Sequence, residues 1–214
     1  MATLEPYAES DISRLGQTVR SVLIGRGVVG LPTETFYGLG VNPFDEIAVE
    51  RLLRIKGRAD DKALLVLVGD RTQIPLLAGT ISPIAALLMD AFWPGALTIL
   101  VPALPTLPQK LTAKSGVVGI RLSSCVPLIQ LLQITGPVTG TSANRAGDRP
   151  ARTAQEVARE FGPDVDVVID AGQTPGGLPS SVVDAQDPVR LIREGAISRQ
   201  MIQNVLQTQG IPLM

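Results

Sequence analysis

Apolar positions along the chain alternate between helical and strand spacing, and the switches mark out its elements. Ile12, Leu15, Val19, Val22 and Leu23 recur at helical spacing behind Ser10 or Asp11, and Gly25 and Gly27 close that segment. The apolar run at 28–31 reads as a buried strand feeding the turn Pro32-Thr33-Glu34-Thr35-Phe36-Tyr37-Gly38-Leu39-Gly40. Asp45 is placed to cap a helix whose apolar face carries Val49, Leu52 and Leu53, with Gly57 as its C′ glycine. A second strand is predicted at 63–68, then short helical segments around 74–77 and 83–92. Further strands are expected at 97–101, 117–122 and 137–139, with a helical stretch at 128–132. Thr153 and Glu156 form a T-x-x-E capping box that opens a helix ending near Phe161. Strands at 165–169, 181–184 and 189–192 follow, and Ser198 caps a last helix over about 198–208. Helices and strands mixed without regular βαβ alternation predict an α/β fold, one domain spanning 1–214 on a large twisted mixed sheet.

Composition changes this picture mainly by what it removes. The 214 residues include no histidine, which excludes Ser-His-Asp and Cys-His catalysis and histidine-ligated zinc. One cysteine, Cys125, leaves no intrachain disulfide and no CxxC metal site, and it fits a reducing cytosol. Lys and Arg (19) nearly balance Asp and Glu (20), so net charge names no partner, although a local basic cleft is compatible with it. The acidic N-terminal stretch lacks the apolar core of a secretory signal, and no apolar run is long enough for a bilayer. A soluble, cytoplasmic protein with no membrane partner is expected.

Four segments carry candidate chemistry. The turn 32–40 sets two hydroxyls, a carboxylate and a phenol behind a buried strand, where α/β sheets commonly bind ligands; as a bare pattern, a purely structural polar turn is the commoner case. Lys56, Arg58 and Lys62 fall at or beyond a helix end, either complementing the macrodipole or converging on phosphate oxygens. The turn Gly140-Thr141-Ser142-Ala143-Asn144-Arg145-Ala146-Gly147 offers Ser and Asn for a ligand or for closing the turn itself. Hydroxyls open the strand in Pro179-Ser180-Ser181-Val182-Val183-Asp184. Arg121 and Arg193 lie within or just after apolar strands, and a buried arginine calls for an anionic partner. No Walker sequence and no GxGxxG occurs, so a nucleotide would bind outside those designs.

In order, PTETFYGLG, KGR, WPGALT, GIRL, TSANRAG, SSVVD and IREGAI resemble the YrdC-type threonylcarbamoyl-AMP synthase family, over roughly residues 14–198. The resemblance implies a single YrdC-like domain in its short, stand-alone form, with helices flanking the sheet around a basic cavity. It implies ATP, L-threonine and bicarbonate or CO2 as substrates, with Mg2+ entering as the partner of ATP and no tightly held protein-ligated metal. It further implies a downstream complex that transfers the threonylcarbamoyl group to tRNA. By that pattern Lys56 and Arg58 are the catalytic cations, and Lys62, Ser142, Asn144 and Arg193 join them on the nucleotide. Thr35, Arg121 and Ser181 hold threonine, with Thr33 and Thr98 as further wall residues. The chain departs from the pattern at Ala59, Ala63, Ala96, Ser123, Ser181 and Glu194, several of them at positions where members carry proline. Two alternatives stay open: a catalytically silent paralogue that binds structured RNA, and an adenylating or carbamoyl-transferring enzyme with another substrate.

Overall fold

Four of the seven α-helices among the described residues start at a residue whose side chain accepts from their orphan amides. The computed structural model describes residues 2–57, 63–145 and 147–214. Asp45 Oδ1 accepts from Ile47 N and Ala48 N to open α2 (Glu46–Lys56), and Gly57, at φ +57°, closes it in the left-handed region that glycine favours. Ser82 caps α3 (Pro83–Phe92), and Ser198 caps α7 (Arg199–Gln207). The Thr153–Glu156 box forms reciprocally at α6 (Ala154–Phe161). The remaining helices are α1 (Ile12–Ile24), α4 (Gln109–Thr112) and α5 (Val126–Thr135). The stretch expected to be helical around 74–77 is a 3₁₀ helix, Arg71–Leu76, with Pro75 inside it.

Ten strands form one sheet: β1 (Thr3–Pro6), β2 (Val29–Leu31), β3 (Gly38–Gly40), β4 (Leu65–Val68), β5 (Leu97–Pro102), β6 (Val117–Leu122), β7 (Val138–Ser142), β8 (Val167–Asp170), β9 (Ser181–Asp184) and β10 (Arg190–Arg193). Their order is β1-β8-β2-β3-β7-β4-β6-β5-β9-β10. The sheet is mixed: β4 runs parallel to β6 and β5 parallel to β9, whereas β7 is antiparallel to both β3 and β4. The expectation of one α/β domain on a mixed sheet with flanking helices holds.

The two faces of the sheet are used differently, and strand alternation decides which residue serves which. Val66 and Val68, Ile99 and Val101, and Val118, Ile120 and Leu122 point into the larger core, which α2, α3, α4, α6 and α7 cover. The opposite parity faces α1 and α5 at one end of the sheet, through Val167, Ile169, Val29, Leu31, Val138 and Leu67. Toward β6, β5 and β9, neither α1 nor α5 supplies a packing partner for that face. There the strands line a cavity instead.

Candidate functional site

The cavity has a volume of about 710 Å³, and its lining follows the two-residue strand period. Leu65 and Leu67 of β4, Thr98 and Leu100 of β5, and Val117, Gly119 and Arg121 of β6 contribute to it. Gly140 and Ser142 of β7 and Ser180 and Val182 at β9 complete the sheet side, and Ile192 and Arg193 of β10 stand at the edge. The turn after β2 adds Thr33, Thr35 and Phe36. The result is a largely apolar chamber with hydroxyls and two arginines at defined points, a composition suited to a polar small molecule.

One polar end is built by the turn 32–37. Thr33 Oγ1 accepts from the amides of Thr35 (3.1 Å) and Phe36 (3.2 Å) and donates to Phe36 O (2.7 Å). The hydroxyl that sequence offered as a ligand therefore shapes the turn, and it lies 3.0 Å from Thr35 Oγ1. The turn presents Glu34 to Arg121 of β6, which is 4% exposed: Glu34 Oε1 lies 2.7 Å from Arg121 Nη2. Arg121 Nη2 also reaches Thr35 Oγ1 at 3.5 Å. Ser123 Oγ donates to the other Glu34 oxygen and accepts from Cys125 N at 3.2 Å, the amide at the start of α5. The Glu34–Arg121 contact is an ion pair without hydrogen-bond alignment, so Glu34 Oε1 and Arg121 Nε are both buried with no hydrogen-bond partner. Native structures leave few such atoms, and each asks for a reason.

The other end is built by β5, β9 and β10. Thr98 Oγ1 and Ser180 Oγ lie 3.1 Å apart, both almost wholly buried. Arg193 donates from Nε (3.1 Å) and Nη2 (2.8 Å) to Ser180 O, and from Nη2 to Ser180 Oγ (3.3 Å). The sequence argument expected a buried Arg193; its residue is exposed at the sheet edge, and Ser180 fixes its position. Ser181, assigned to substrate on the sequence, belongs to the wrong parity. It has no exposed surface, and its Oγ accepts from Gly195 N (2.9 Å) and Ile197 N (3.1 Å) while donating to Ile197 O (2.5 Å). Ser181 thus pins the 195–197 turn behind the sheet, and Ser180 is the serine that faces the cavity. A Cβ on Gly195 would stand 2.1 Å from Pro179 O, so this close approach admits only glycine.

The third side is the turn after β7. Ser142 lines the cavity and donates to Asn144 Oδ1 (2.6 Å), while Asn144 Nδ2 donates to Arg145 O (2.8 Å) and Asp148 O (3.0 Å). Lys56, the last residue of α2, comes up beneath this turn. Its ammonium donates to Ser142 O at 2.6 Å and to Asn144 O, with Asn144 Oδ1 at 3.4 Å, and sits 6.0 Å from the Phe161 ring centroid. Lys56 is not among the residues that line the cavity. The structure therefore brings Lys56, Ser142 and Asn144 together, as their motifs suggest, but turns the lysine toward backbone carbonyls. Arg58 and Lys62 lie outside the described residues. Burial pushes the Cys125 thiol above its ordinary range, and it takes no part in the lining. Among the described residues no cluster of acidic, Cys or His side chains could hold a metal ion, and no helix is long and apolar enough to cross a membrane.

Sequence reasoning singled out Thr35, Arg121, Ser142 and Arg193, all of which meet at the cavity. It passed over Ser180 as a cavity-lining group and Glu34 as the partner of Arg121. Counting alternation along β9 from the core residue Val183 would have found Ser180; nothing local announces the pairing of Glu34 with Arg121.

A mixed α/β sheet thus carries a partly open cavity with Arg121 at one end and Arg193 at the other. A family model described as telomere recombination, covering Sua5, YciO and YrdC, matches residues 21–195, and the chain belongs to that family. It is 34% identical over 181 residues to the threonylcarbamoyl-AMP synthase of Pyrococcus abyssi, a match covering 84% of this chain and 53% of that protein. The chain thus spans about half the length of that relative. It is also 34% identical over 188 residues to the threonylcarbamoyl-AMP synthase of Vibrio vulnificus, covering 86% of this chain and all of that protein. The crystal structure of P. abyssi Sua5 complexed with L-threonine superposes with a TM-score of 0.87 at 30% identity, covering 100% of this chain and 62% of that one.

Proposed function

We propose that this chain is an L-threonylcarbamoyladenylate synthase, forming threonylcarbamoyl-AMP and pyrophosphate from L-threonine, bicarbonate or CO2, and ATP, for threonylcarbamoyladenosine modification of tRNA. The observation that carries the reading is the buried Glu34–Arg121 pair, with one unmated acceptor and one unmated donor beside the Thr35 hydroxyl. A guanidinium at the cavity wall complements the carboxylate of an α-amino acid, and the neighbouring Thr35 hydroxyl suits one that carries its own.

In the chemistry proposed, the neutral amine of threonine attacks CO2, a C–N bond forms and the nitrogen gives up a proton. A carbamate oxygen then attacks the α-phosphorus of ATP, and the bond to pyrophosphate breaks. Neither step needs a protein nucleophile, which suits a chain with no histidine and with Cys125 held as the thiol. Arg121 and Thr35 hold threonine, with Glu34 behind Arg121 as its counter-ion. Arg193, Ser180 and Thr98, at the other end of the cavity, are assigned to the nucleotide. Ser142 completes the wall, on a turn that Asn144 and Lys56 hold in shape. Arg58 and Lys62 are assigned to the triphosphate on the motif, with Mg2+ arriving on ATP as part of the substrate.

The test is purified protein with ATP, Mg2+, bicarbonate and L-threonine, followed by mass spectrometry for threonylcarbamoyl-AMP and by pyrophosphate release. Both signals should vanish without threonine. Folded protein that binds ATP yet yields neither would sink the proposal and leave the RNA-binding paralogue as the better reading.

A further inference from the structure

We infer that Ser123 is a positioning residue: by holding one oxygen of Glu34 it keeps the Glu34–Arg121 pair at a single point of contact, so that Arg121 retains the capacity to receive a substrate carboxylate. The inference rests on the reading of the cavity as an amino-acid site.

The geometry poses the question. A guanidinium and a carboxylate in contact normally settle into two parallel hydrogen bonds, the stronger and better-defined arrangement. Here they do not. Glu34 Oε1 touches Nη2 at 2.7 Å without alignment, and Oε1 and Arg121 Nε are both buried with no hydrogen-bond partner. Both atoms are buried without a hydrogen-bond partner, although Arg121 itself lines the cavity. The unmade bond has a visible cause in Ser123, which is 1% exposed and donates to Glu34 Oε2.

Ser123 is itself fixed, because its Oγ accepts from Cys125 N at the start of α5. The Cys125 side chain makes no capping bond there, so the serine hydroxyl ties the helix start to the acid. A chain of contacts therefore runs from the α5 amide through Ser123 and Glu34 to Arg121 and Thr35. Without the hydroxyl, Glu34 is free to rotate and chelate Arg121 through both oxygens. The arginine would then be matched internally, and an incoming carboxylate would have to displace Glu34 to bind.

The experiment combines Ser123→Ala, its near-isosteric partner Ser123→Cys, and Ser123→Thr, each checked for fold by circular dichroism. L-Threonine affinity is measured by calorimetry and turnover by pyrophosphate release. Ser123→Ala should raise the threonine Kd and KM by roughly 3- to 10-fold, the size of one net hydrogen bond, with kcat within about twofold. Ser123→Cys, a weak donor of similar size, should shift them in the same direction, and Ser123→Thr should restore wild-type values. In the Glu34→Ala background Ser123→Ala should change nothing further, since no carboxylate is left to chelate Arg121. Wild-type threonine binding in both Ser123→Ala and Ser123→Cys would overturn the inference, as would equal losses with and without Glu34.

A ligand-free readout separates this failure from that of the amino-acid reading. The Arg121 Nε–H resonance, assigned by its loss in Arg121→Lys, should shift in Ser123→Ala as Nε gains an acceptor. An unmoved resonance overturns the clamp even where threonine binds. A moved resonance in a protein that ignores threonine overturns the substrate assignment alone.

Discussion

At the scale of single residues, two buried polar groups outside the ion pair make distinct claims. Lys56 stands at the family's KGR motif, yet its ammonium is directed at the carbonyls of Ser142 and Asn144. It carries the turn as a cation on a carbonyl cradle, three donors to fixed acceptors. Replacing it with methionine keeps the length and removes those donors, and hydrogen bonds to a charged group are the expensive ones to lose. Lys56→Met should lower kcat/KM by about 10- to 100-fold, and Lys56→Arg should not restore it, because a planar fork does not fit a cradle shaped for a point charge. Full turnover in Lys56→Met, with the fold verified, would remove the lysine from the site altogether. Tyr37 is the second group. Its ring is fully buried, and its hydroxyl donates to Gly172 O (2.8 Å) and accepts from Ala171 N (3.3 Å). Tyr37→Phe leaves both backbone groups without that partner and should cost about 1–3 kcal/mol in urea unfolding. Burial raises the phenol from 10.0 to about 12, so the folded state prefers the neutral form. That contribution is complete below pH 10 and lost as pH rises through 12. Between those limits wild type should lose more stability than Tyr37→Phe, and parallel curves would refute the assignment.

At the scale of elements, what sequence could reveal depended on whether the cause was local. Asp45, Ser82, Thr153 and Ser198 announce their helices because a cap needs only neighbours within three residues. Asp45→Ala should therefore destabilise by about 1 kcal/mol, and Gly57→Ala, forced into the left-handed region, by about 1–2 kcal/mol. Thermal unfolding of the two variants checks both, and a neutral Asp45→Ala would refute a stabilising cap, since the substitution also removes the Arg26 pair. β1, β3 and α4 stayed hidden for the opposite reason. β3 is Gly38-Leu39-Gly40, which becomes a strand only because β2 and β7 flank it. β1 is a largely exposed edge that pairs with β8, more than 160 positions away on the ladder Thr3 to Val167. The site divides along the same line. Arg121 is conspicuous as a charge inside an apolar strand, but its partner Glu34 is set by tertiary approach. Ser181 was preferred to Ser180 because a motif shows a pair of hydroxyls and not the face each one takes.

At the scale of the whole molecule, the sheet is paired on both sides through its middle and on one side only at the β10 edge. β4 and β7 sit between neighbours on both sides and contribute to the packed cores. β10 is the last strand, pairs with β9 alone within the sheet, and shifts register between Leu191 and Arg193. Its outer side is met by the backbone of Met214. Local opening follows such differences in pairing and buried contact, so the amides of β10 should exchange with solvent far faster than those of β4 and β7. Yet Ile192 and Arg193 of this weak edge line the cavity, and Arg193 is anchored through Ser180. A nucleotide that engages Arg193 binds only the closed edge, and its binding energy is added to the pairing of β10 with β9. Hydrogen exchange read by mass spectrometry should therefore show β10 slowed by ATP and Mg2+, with the central strands unchanged. Threonine alone, held at the Arg121 end, should protect the turn at 32–37 and leave β10 as it was. If ATP slowed exchange at 32–37 and not at β10, the two ends of the cavity would have to trade ligands, and Arg193 would lose its assignment to the nucleotide.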